Sequence, residues 1–319
     1  MDMIKILVEK IKSGYSISKE EALQLINYDL NILSVYANEI REYFMDNQFD
    51  LCCIVNGKSG KCSEDCKFCA QSSYHKTNID IYPLLTTQEF LKDSIYNYEK
   101  GVQRYSIVTS GKMLTKSEVD KVCESYNEIH NKVGIKTCAS HGLLDEEDLK
   151  KLKLAGVQRY HNNLETSRRY FKNICSTHTY EDKINTIKSA QRVGLEVCSG
   201  GIIGLGESQE DRVDMALELR NLNIRSIPLN LLNYIEGTNI DNSAKVTEEE
   251  FLKTVAIFRF INPKSQIRLA GGRNLLTKYG KLAFKSGANA TITGDMLTTC
   301  GIGIDEDIKM IKEMGFKIV

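Results

Sequence analysis

"GVQRYSIVTSG", residues 101–111, opens on a glycine suited to end a helix and passes at once into a run of strand-forming residues. Its first five letters return as "GVQRY" at 156–160, again between a helical stretch and a strand-like run. A helix inserted between consecutive strands brings the second back parallel to the first, so a recurring βα unit predicts a parallel sheet. The same punctuation recurs at Gly134 before "IKTCAS", Gly194 before "LEVCSGGIIGLGE" and Gly287 before "ANATITG". "LCCIVNG" (51–57), "RSIPLNLL" (225–232) and "QIRLAGG" (266–272) complete eight strands, each followed by a helical stretch, with no Gly/Pro/Ser-rich linker between them. The expected fold is α/β, a (β/α)8 TIM-type barrel; an open doubly wound sheet is the alternative that strand counting leaves.

Helical signals at 2–12, 19–27 and 31–45, the second opening on the capping-box pattern Ser18–Glu21, predict a helical N-terminal extension over residues 1–46. The barrel is expected over 47–300, and a C-terminal helix packed on it over 301–319. The 319 residues suit one such barrel, which takes about 250. A hydrophobic share of 42% and a charged share of 26% permit a sizeable core. Lys plus Arg and Asp plus Glu both number 42, so no net charge draws the chain to nucleic acid or an anionic membrane. The first residues lack the unbroken apolar run of a signal peptide, and no 18-residue apolar stretch exists, so a cytoplasmic protein is expected. In such a compartment ten cysteines point to metal or catalysis rather than to disulfides. Cys123 and Cys175 read as packing residues.

Chemistry in these barrels sits at the C-terminal ends of the strands. Those ends carry Ser106, Ser110 and Gly111; Cys138 and His141; His161, Asn163 and Glu165; Cys198; Asn230; Arg268 and Arg273; and Asp295. A packing core would hold Val, Ile and Leu there, so a lined cavity is predicted. Cys138, Cys198 and Arg268 fall on strands 3, 5 and 7, with Cys52 and Cys53 on strand 1, so one alternate-strand layer gathers thiols around an arginine. A buried arginine needs an anion, and a sulfide-bearing cluster would be one.

Upstream, "GKCSEDCKFCA" (60–70) spaces Cys62, Cys66 and Cys69 as C-x3-C-x2-C, with Phe68 before the last cysteine. Structural zinc usually takes two Cys-x2-Cys pairs or a His pair. A [4Fe–4S] cluster given three thiolates keeps one iron open for a chelating cofactor. "VCSGGIIGLGE" (197–207) alone reads as a tight glycine turn before a helix opening at Ser208.

On these motifs the chain resembles the radical S-adenosylmethionine (SAM) enzymes. Through "GKCSEDCKFCAQS", "YHNNLETS", "NICSTHTYEDK", "VCSGGIIGLGE", "IPLNLL", "IRLAGGR" and "GDMLTT" it is similar to the biotin synthase family among them, from about residue 45 to the end. The resemblance implies sulfur insertion into dethiobiotin: reductive SAM cleavage yields a hydrogen-abstracting radical, and an auxiliary Fe–S cluster donates the sulfur. It implies that Cys62, Cys66 and Cys69 hold the [4Fe–4S] cluster, and that Phe68, Ser110, Gly111, Asn163, Glu165, Lys183 and Ile202 contact SAM. Dethiobiotin would meet His161, Asn163, Asn230, Thr298 and Thr299. Cys138, Cys198 and Arg268 match auxiliary-cluster ligands, usually of a [2Fe–2S] centre. The family's third auxiliary cysteine, on strand 2, is Ser106 here; Cys52 is the expected replacement thiolate, with Cys53 second. A homodimer reduced by a flavodoxin or ferredoxin-type protein is implied, with no nucleic acid or membrane partner. The alternatives are another radical SAM enzyme of the same branch, hydrogenase-maturation-like, acting on a different small molecule, and a non-catalytic Fe–S or zinc carrier.

Overall fold

All eight expected strands form, and the sheet closes. The computed structural model describes residues 3–240 and 245–319, so the expected start of the first helix at residue 2 lies outside the described residues. The strands are β1 (Gln48–Lys58), β2 (Arg104–Thr109), β3 (Lys136–Ser140), β4 (Arg159–His161), β5 (Glu196–Cys198), β6 (Gly201–Ile203), β7 (Ser226–Leu231), β8 (Gln266–Leu269), β9 (Ala290–Thr293) and β10 (Lys317–Ile318). Every ladder is parallel, in the order β1-β2-β3-β4-β5-β7-β8-β9, and β1 pairs with β9 to close the ring. This is a (β/α)8 barrel, not an open sheet.

The helices are α1 (Met3–Lys12), α2 (Lys19–Gln24), α3 (Leu30–Met45), α4 (Thr87–Glu99), α5 (Lys116–Lys132), α6 (Glu146–Leu154), α7 (Arg168–Phe171), α8 (Tyr180–Arg192), α9 (Gln209–Asn221), α10 (Glu248–Ile261), α11 (Lys281–Phe284) and α12 (Ile304–Glu313). Their ends are written in local chemistry. Capping boxes form at Ser18–Glu21 and Thr86–Glu89, and also at Thr115–Glu118, Thr179–Asp182, Ser208–Asp211 and Thr247–Glu250. The glycines before the strands turn through the left-handed region, with φ of 93° at Gly101, 74° at Gly134, 93° at Gly156, 80° at Gly194 and 101° at Gly287.

The fifth barrel position is split: β5 stops at Cys198, and β6 resumes at Gly201 on the edge of β7. The glycine pair between them permits close backbone approach. A Cβ at Gly200 would stand 1.9 Å from the Pro228 carbonyl oxygen, and one at Gly201 would stand 2.4 Å from that of Glu165. These glycines are required by the barrel itself, whatever else they meet.

The chain end adds a feature the sequence pattern does not announce. After α12, the two residues of β10 pair with the start of β1, Gln48 opposite Lys317 and Phe49 opposite Ile318. Phe49 packs edge-on against Phe284 and Phe316, at centroid distances of 5.1 and 5.2 Å. Arg273, in the loop after β8, clamps α12 through a two-pronged ion pair to Asp307, one prong 3.0 Å long, and also donates to Thr291 Oγ1 at 2.7 Å. Both partners are buried, Asp307 fully. Removing one member of such a pair strands the other charge. Asp307→Ala is therefore expected to cost about 3–5 kcal/mol in anaerobic urea unfolding of the full chain. An unchanged midpoint would show that α12 docks without this clamp.

Candidate metal centre

The barrel encloses a cavity of about 410 Å3, lined by the first-choice metal ligands and by the residues expected to meet SAM and dethiobiotin; three of the strand-end residues expected there do not line it, His141 being buried against Thr109 and Tyr126, Arg273 paired with Asp307 and Asp295 exposed. Nor does Cys53: it packs in the hydrophobic core, and its thiol donates to the Arg104 carbonyl at 3.6 Å. Neighbouring residues of a strand face opposite ways, so Cys52 faces the cavity and Cys53 faces the helices.

The mouth is built by the loop after β1. Backbone bonds Cys62 N–Gln71 O (3.0 Å), Ser73 N–Cys62 O (2.8 Å) and Cys69 N–Cys66 O (3.0 Å) fold it on itself. Gln71 Oε1 accepts from Gly60 N at 3.1 Å. Ser110 Oγ donates to Gly60 O at 2.7 Å, tying the loop to the end of β2. Burial pushes the Cys62 thiol up and takes Cys69 to about 11. Cys62, Cys66 and Cys69 do not converge on one point. Among the described residues, the His/Cys/Asp/Glu trio whose donor atoms all lie within 4.8 Å is a different one: Cys66, Cys175 and His178. A spread trio of thiols fits a polynuclear cluster better than a single zinc ion.

Cys175 packs in the hydrophobic core, as expected, and also joins this trio. Its sulfur lies 3.7 Å from Cys66 Sγ and 3.2 Å from His178 Nδ1. The two sulfurs share one hydrogen bond, which holds Cys175 below and Cys66 above the ordinary thiol range. Spacing gave no hint of this contact, because over a hundred residues separate the two cysteines.

Past the mouth, one wall is fixed by backbone. Glu165 adopts φ of 69°, a left-handed conformation costly for a non-glycine residue. Its carbonyl accepts from Ile202 N at 2.8 Å, and its N–H donates to Gly200 O at 3.1 Å. Asn163 Oδ1 accepts from Gly200 N at 3.0 Å, and its amide donates to Glu165 Oε2 at 3.3 Å. Asn230 bridges Gly201 O (3.0 Å) and Gly271 N (2.8 Å). Both asparagines thus already hold backbone in register, and either would offer a ligand only its remaining hydrogen-bonding capacity. Lys183 and Thr298 and Thr299, on the loop after β9, complete the lining.

The floor gathers Cys52, Cys138, Cys198 and Arg268, the alternate-strand layer expected from the sequence, together with Ser106 opposite Cys138. Two further arginines share the floor. Arg104 stands beside Cys52, and Arg159 beside Cys138, each in register on the neighbouring strand. Arg268 already has an anion: it is ion-paired to Asp50 and donates to Thr291 O at 2.9 Å. Arg159 approaches the same carboxylate at 3.6 Å and reaches Glu196 at 3.1 Å. Burial would raise Asp50, but Arg268, Arg159 and Arg104 reverse this and hold it well below the usual carboxylate range. The guanidinium left over is Arg104, whose Nε and Nη1 are buried without a hydrogen-bond partner. So the need for an anion, expected at Arg268, falls on Arg104.

The thiols respond to this field. Burial takes Cys52 to about 11 and Cys138 to about 12. Burial also works on Cys198, yet His161, opposite it in register, with Arg268 and Arg159, pulls it below the ordinary thiol range. Asp50, Arg104 and Arg159 were not singled out in the sequence. The one signal was the repeat, since Arg104 and Arg159 are the same letter of "GVQRY" in its two copies.

Comparisons with known proteins bear on the family and the fold. The Radical SAM superfamily profile matches residues 58–219, and the Biotin and Thiamin Synthesis associated domain profile matches 228–317. The chain is 57% identical over 318 residues to a biotin synthase of Clostridium botulinum (strain Alaska E43 / Type E3), covering 100% of both chains. It is 55% identical to one of Brachyspira hyodysenteriae, covering 98% of this chain and 94% of that one. Among solved structures, methylornithine synthase superposes with a TM-score of 0.84 at 18% identity, covering 98% of this chain and 97% of that one. The FeFe-hydrogenase maturase of Carboxydothermus hydrogenoformans superposes at 0.83 with 16% identity, covering 99% and 79%. At such identities these two speak for the fold alone. The full-length relatives and the superfamily profile together establish that the chain belongs to the biotin synthase family of radical SAM enzymes.

Proposed function

We propose that this chain converts dethiobiotin to biotin, with Cys62, Cys66 and Cys69 holding a [4Fe–4S] cluster and Cys138, Cys198 and Cys52 holding an auxiliary iron–sulfur centre. The observation that carries this reading is one cavity with two sets of thiols, one at the mouth and one on a floor where the Arg104 guanidinium lacks a partner. When bound, the groups supply a hydrogen-abstracting radical from SAM and a sulfide for the carbon so activated.

The protein's share is binding, orientation and exclusion of water. The wall of Asn163, Glu165 and Ile202 is pre-set by backbone bonds, which suits it to hold the SAM ribose and adenine. Ser110 and Gly111 flank the cysteine loop and would meet the methionine end, with Phe68 packed beside it. Lys183 would neutralise the SAM carboxylate as a point charge rather than as a fork. His161, Asn230, Thr298 and Thr299 surround the space left for dethiobiotin. On the floor, Arg104, Arg159 and Arg268 face an anionic centre and would lower the cost of deprotonating the buried thiols. Arg268 would keep its tie to Asp50 while facing the centre, as a ligand or as a hydrogen-bond donor.

Cys52 replaces the thiolate missing at Ser106. It is the strand-1 thiol that faces the cavity, beside Arg104, whereas Cys53 is turned away. Serine binds iron only as an alkoxide, a far poorer ligand at neutral pH. The family likeness also suggests a homodimer in the cytoplasm, reduced by a flavodoxin or ferredoxin-type protein; among the described residues no helix is long and apolar enough to cross a membrane.

Anaerobically reconstituted chain given SAM, a strong reductant and dethiobiotin should form biotin and 5′-deoxyadenosine. Nucleotide fragmentation that does not respond to dethiobiotin would instead favour a sister enzyme with another substrate. Iron and sulfide counts should fall in Cys52→Ala by the auxiliary complement alone, with the SAM-responsive cluster signal retained. An auxiliary centre left intact in that variant would reduce Cys52 to a core residue.

A further inference from the structure

The proposed reaction leaves one set of donors without a role. Cys175 and His178 lie on the loop between α7 and α8, pressed against Cys66. The sulfurs of Cys66 and Cys175 are 3.7 Å apart, and Cys175 Sγ is 3.8 Å from His178 Nε2. A tetrahedral ion with Zn–S of ~2.3 Å and Zn–N of ~2.0 Å needs donor edges of roughly 3.8 Å between sulfurs and roughly 3.5 Å from sulfur to nitrogen. The sulfur–sulfur edge matches, the Cys175–Nε2 edge is a few tenths of an ångström long, and all three donor atoms lie within 4.8 Å of one another.

The surroundings prepare the same site. His178 Nδ1 is 2.6 Å from Glu64 Oε2, and Thr177 Oγ1 donates to that carboxylate oxygen at 2.8 Å. A proton on Nδ1 pointing at a carboxylate leaves Nε2 as the free ligand atom, the arrangement that orients zinc-binding histidines. Asp65 accepts from the backbone N–H of Ser176 at 2.8 Å and of Thr177 at 3.2 Å, which fastens this loop to the cysteine loop. Cys175 and His178 are buried, and Cys66 opens to the cavity.

We propose that the cluster-free chain binds one soft divalent ion of the zinc class through Cys66, Cys175 and His178, with the fourth position left to water. Cys66 cannot serve this ion and the [4Fe–4S] cluster together, a clause that rests on the reading of Cys66 as a cluster ligand. The ion and the cluster therefore compete, and zinc held here blocks cluster assembly by withholding one of its three thiolates. The pair Cys62 and Cys69 takes no part.

The test uses full-length chain purified anaerobically and stripped of iron, titrated with Co2+ as a coloured probe and then with Zn2+. The expected result is one Co2+ per chain, with thiolate charge-transfer and tetrahedral d–d bands that Zn2+ abolishes. Cys175→Ala should lose the bands, His178→Ala should weaken binding at least tenfold, and Cys62→Ala and Cys69→Ala should keep them. Pre-bound Zn2+ should slow [4Fe–4S] reconstitution of the wild type but not of Cys175→Ala; Cys175→Ser serves if the alanine variant does not fold. Tetrahedral Co2+ bands unchanged in Cys175→Ala, or absent from the wild type while the cluster still loads, overturn the proposal. Bands that behave as expected in a chain that never loads a cluster uphold the ion site and overturn the cluster reading instead.

Discussion

The strand β1 is the member on which the rest depends. It closes the barrel between β2 and β9, and β10 pairs with its first residues. It also joins the two ends of the cavity. Cys52 lies on the floor with Asp50 behind it, paired to Arg268, and the same strand runs out through Ser59 and Gly60 into the cysteine loop at the mouth. Asp50 is one buried carboxylate set against Arg104, Arg159 and Arg268. Glu196 answers Arg159 from the surface and Asp50 answers Arg268, which leaves Arg104 short of a partner, and a buried unpaired charge is expensive. The buried Arg104 beside Cys52 is thus the feature that favours the proposed anionic centre on this floor.

Burial holds Cys52 and Cys138 high and so protonated, whereas Cys198 is drawn the other way by His161 and the arginines. Iron binding must displace those protons, so assembly is coupled to pH and to the guanidiniums that stabilise thiolate. The mouth works differently. There the thiols are spread on a loop tied by its own backbone, and in the proposed reading the selective feature would be the number of ligands, three where four would close the site. Closed coordination stores a cluster; an open corner makes it reactive toward a chelating cofactor.

Much of this was legible in the sequence, and the misses have physical reasons. Helix ends and strand starts announce themselves because glycine alone turns left-handed cheaply and because Ser/Thr with Glu three residues on satisfies free N–H groups. The alternate-strand layer of Cys138, Cys198 and Arg268 with a strand-1 cysteine followed from barrel geometry, and the family resemblance put Cys52 ahead of Cys53. Asp50 did not, since one acidic residue at a strand start looks like ordinary surface. Arg104 and Arg159 were hidden inside the repeat that revealed the fold, where "GVQRY" read as scaffold and in fact also carries two charges to the floor. Cys175 was missed because its partner Cys66 is remote in the chain and local patterns carry no tertiary contact. The glycine pair at 200 and 201 read on its own as a tight turn, and the barrel needs it for backbone clearance.

The most direct measurement is 57Fe Mössbauer spectroscopy of the anaerobically reconstituted full chain, before and after SAM is added. Two separate iron–sulfur centres should be present, and SAM should shift the signal of a single iron in the mouth cluster while leaving the floor centre unchanged. A spectrum of one centre only, or a mouth cluster indifferent to SAM, would contradict the account.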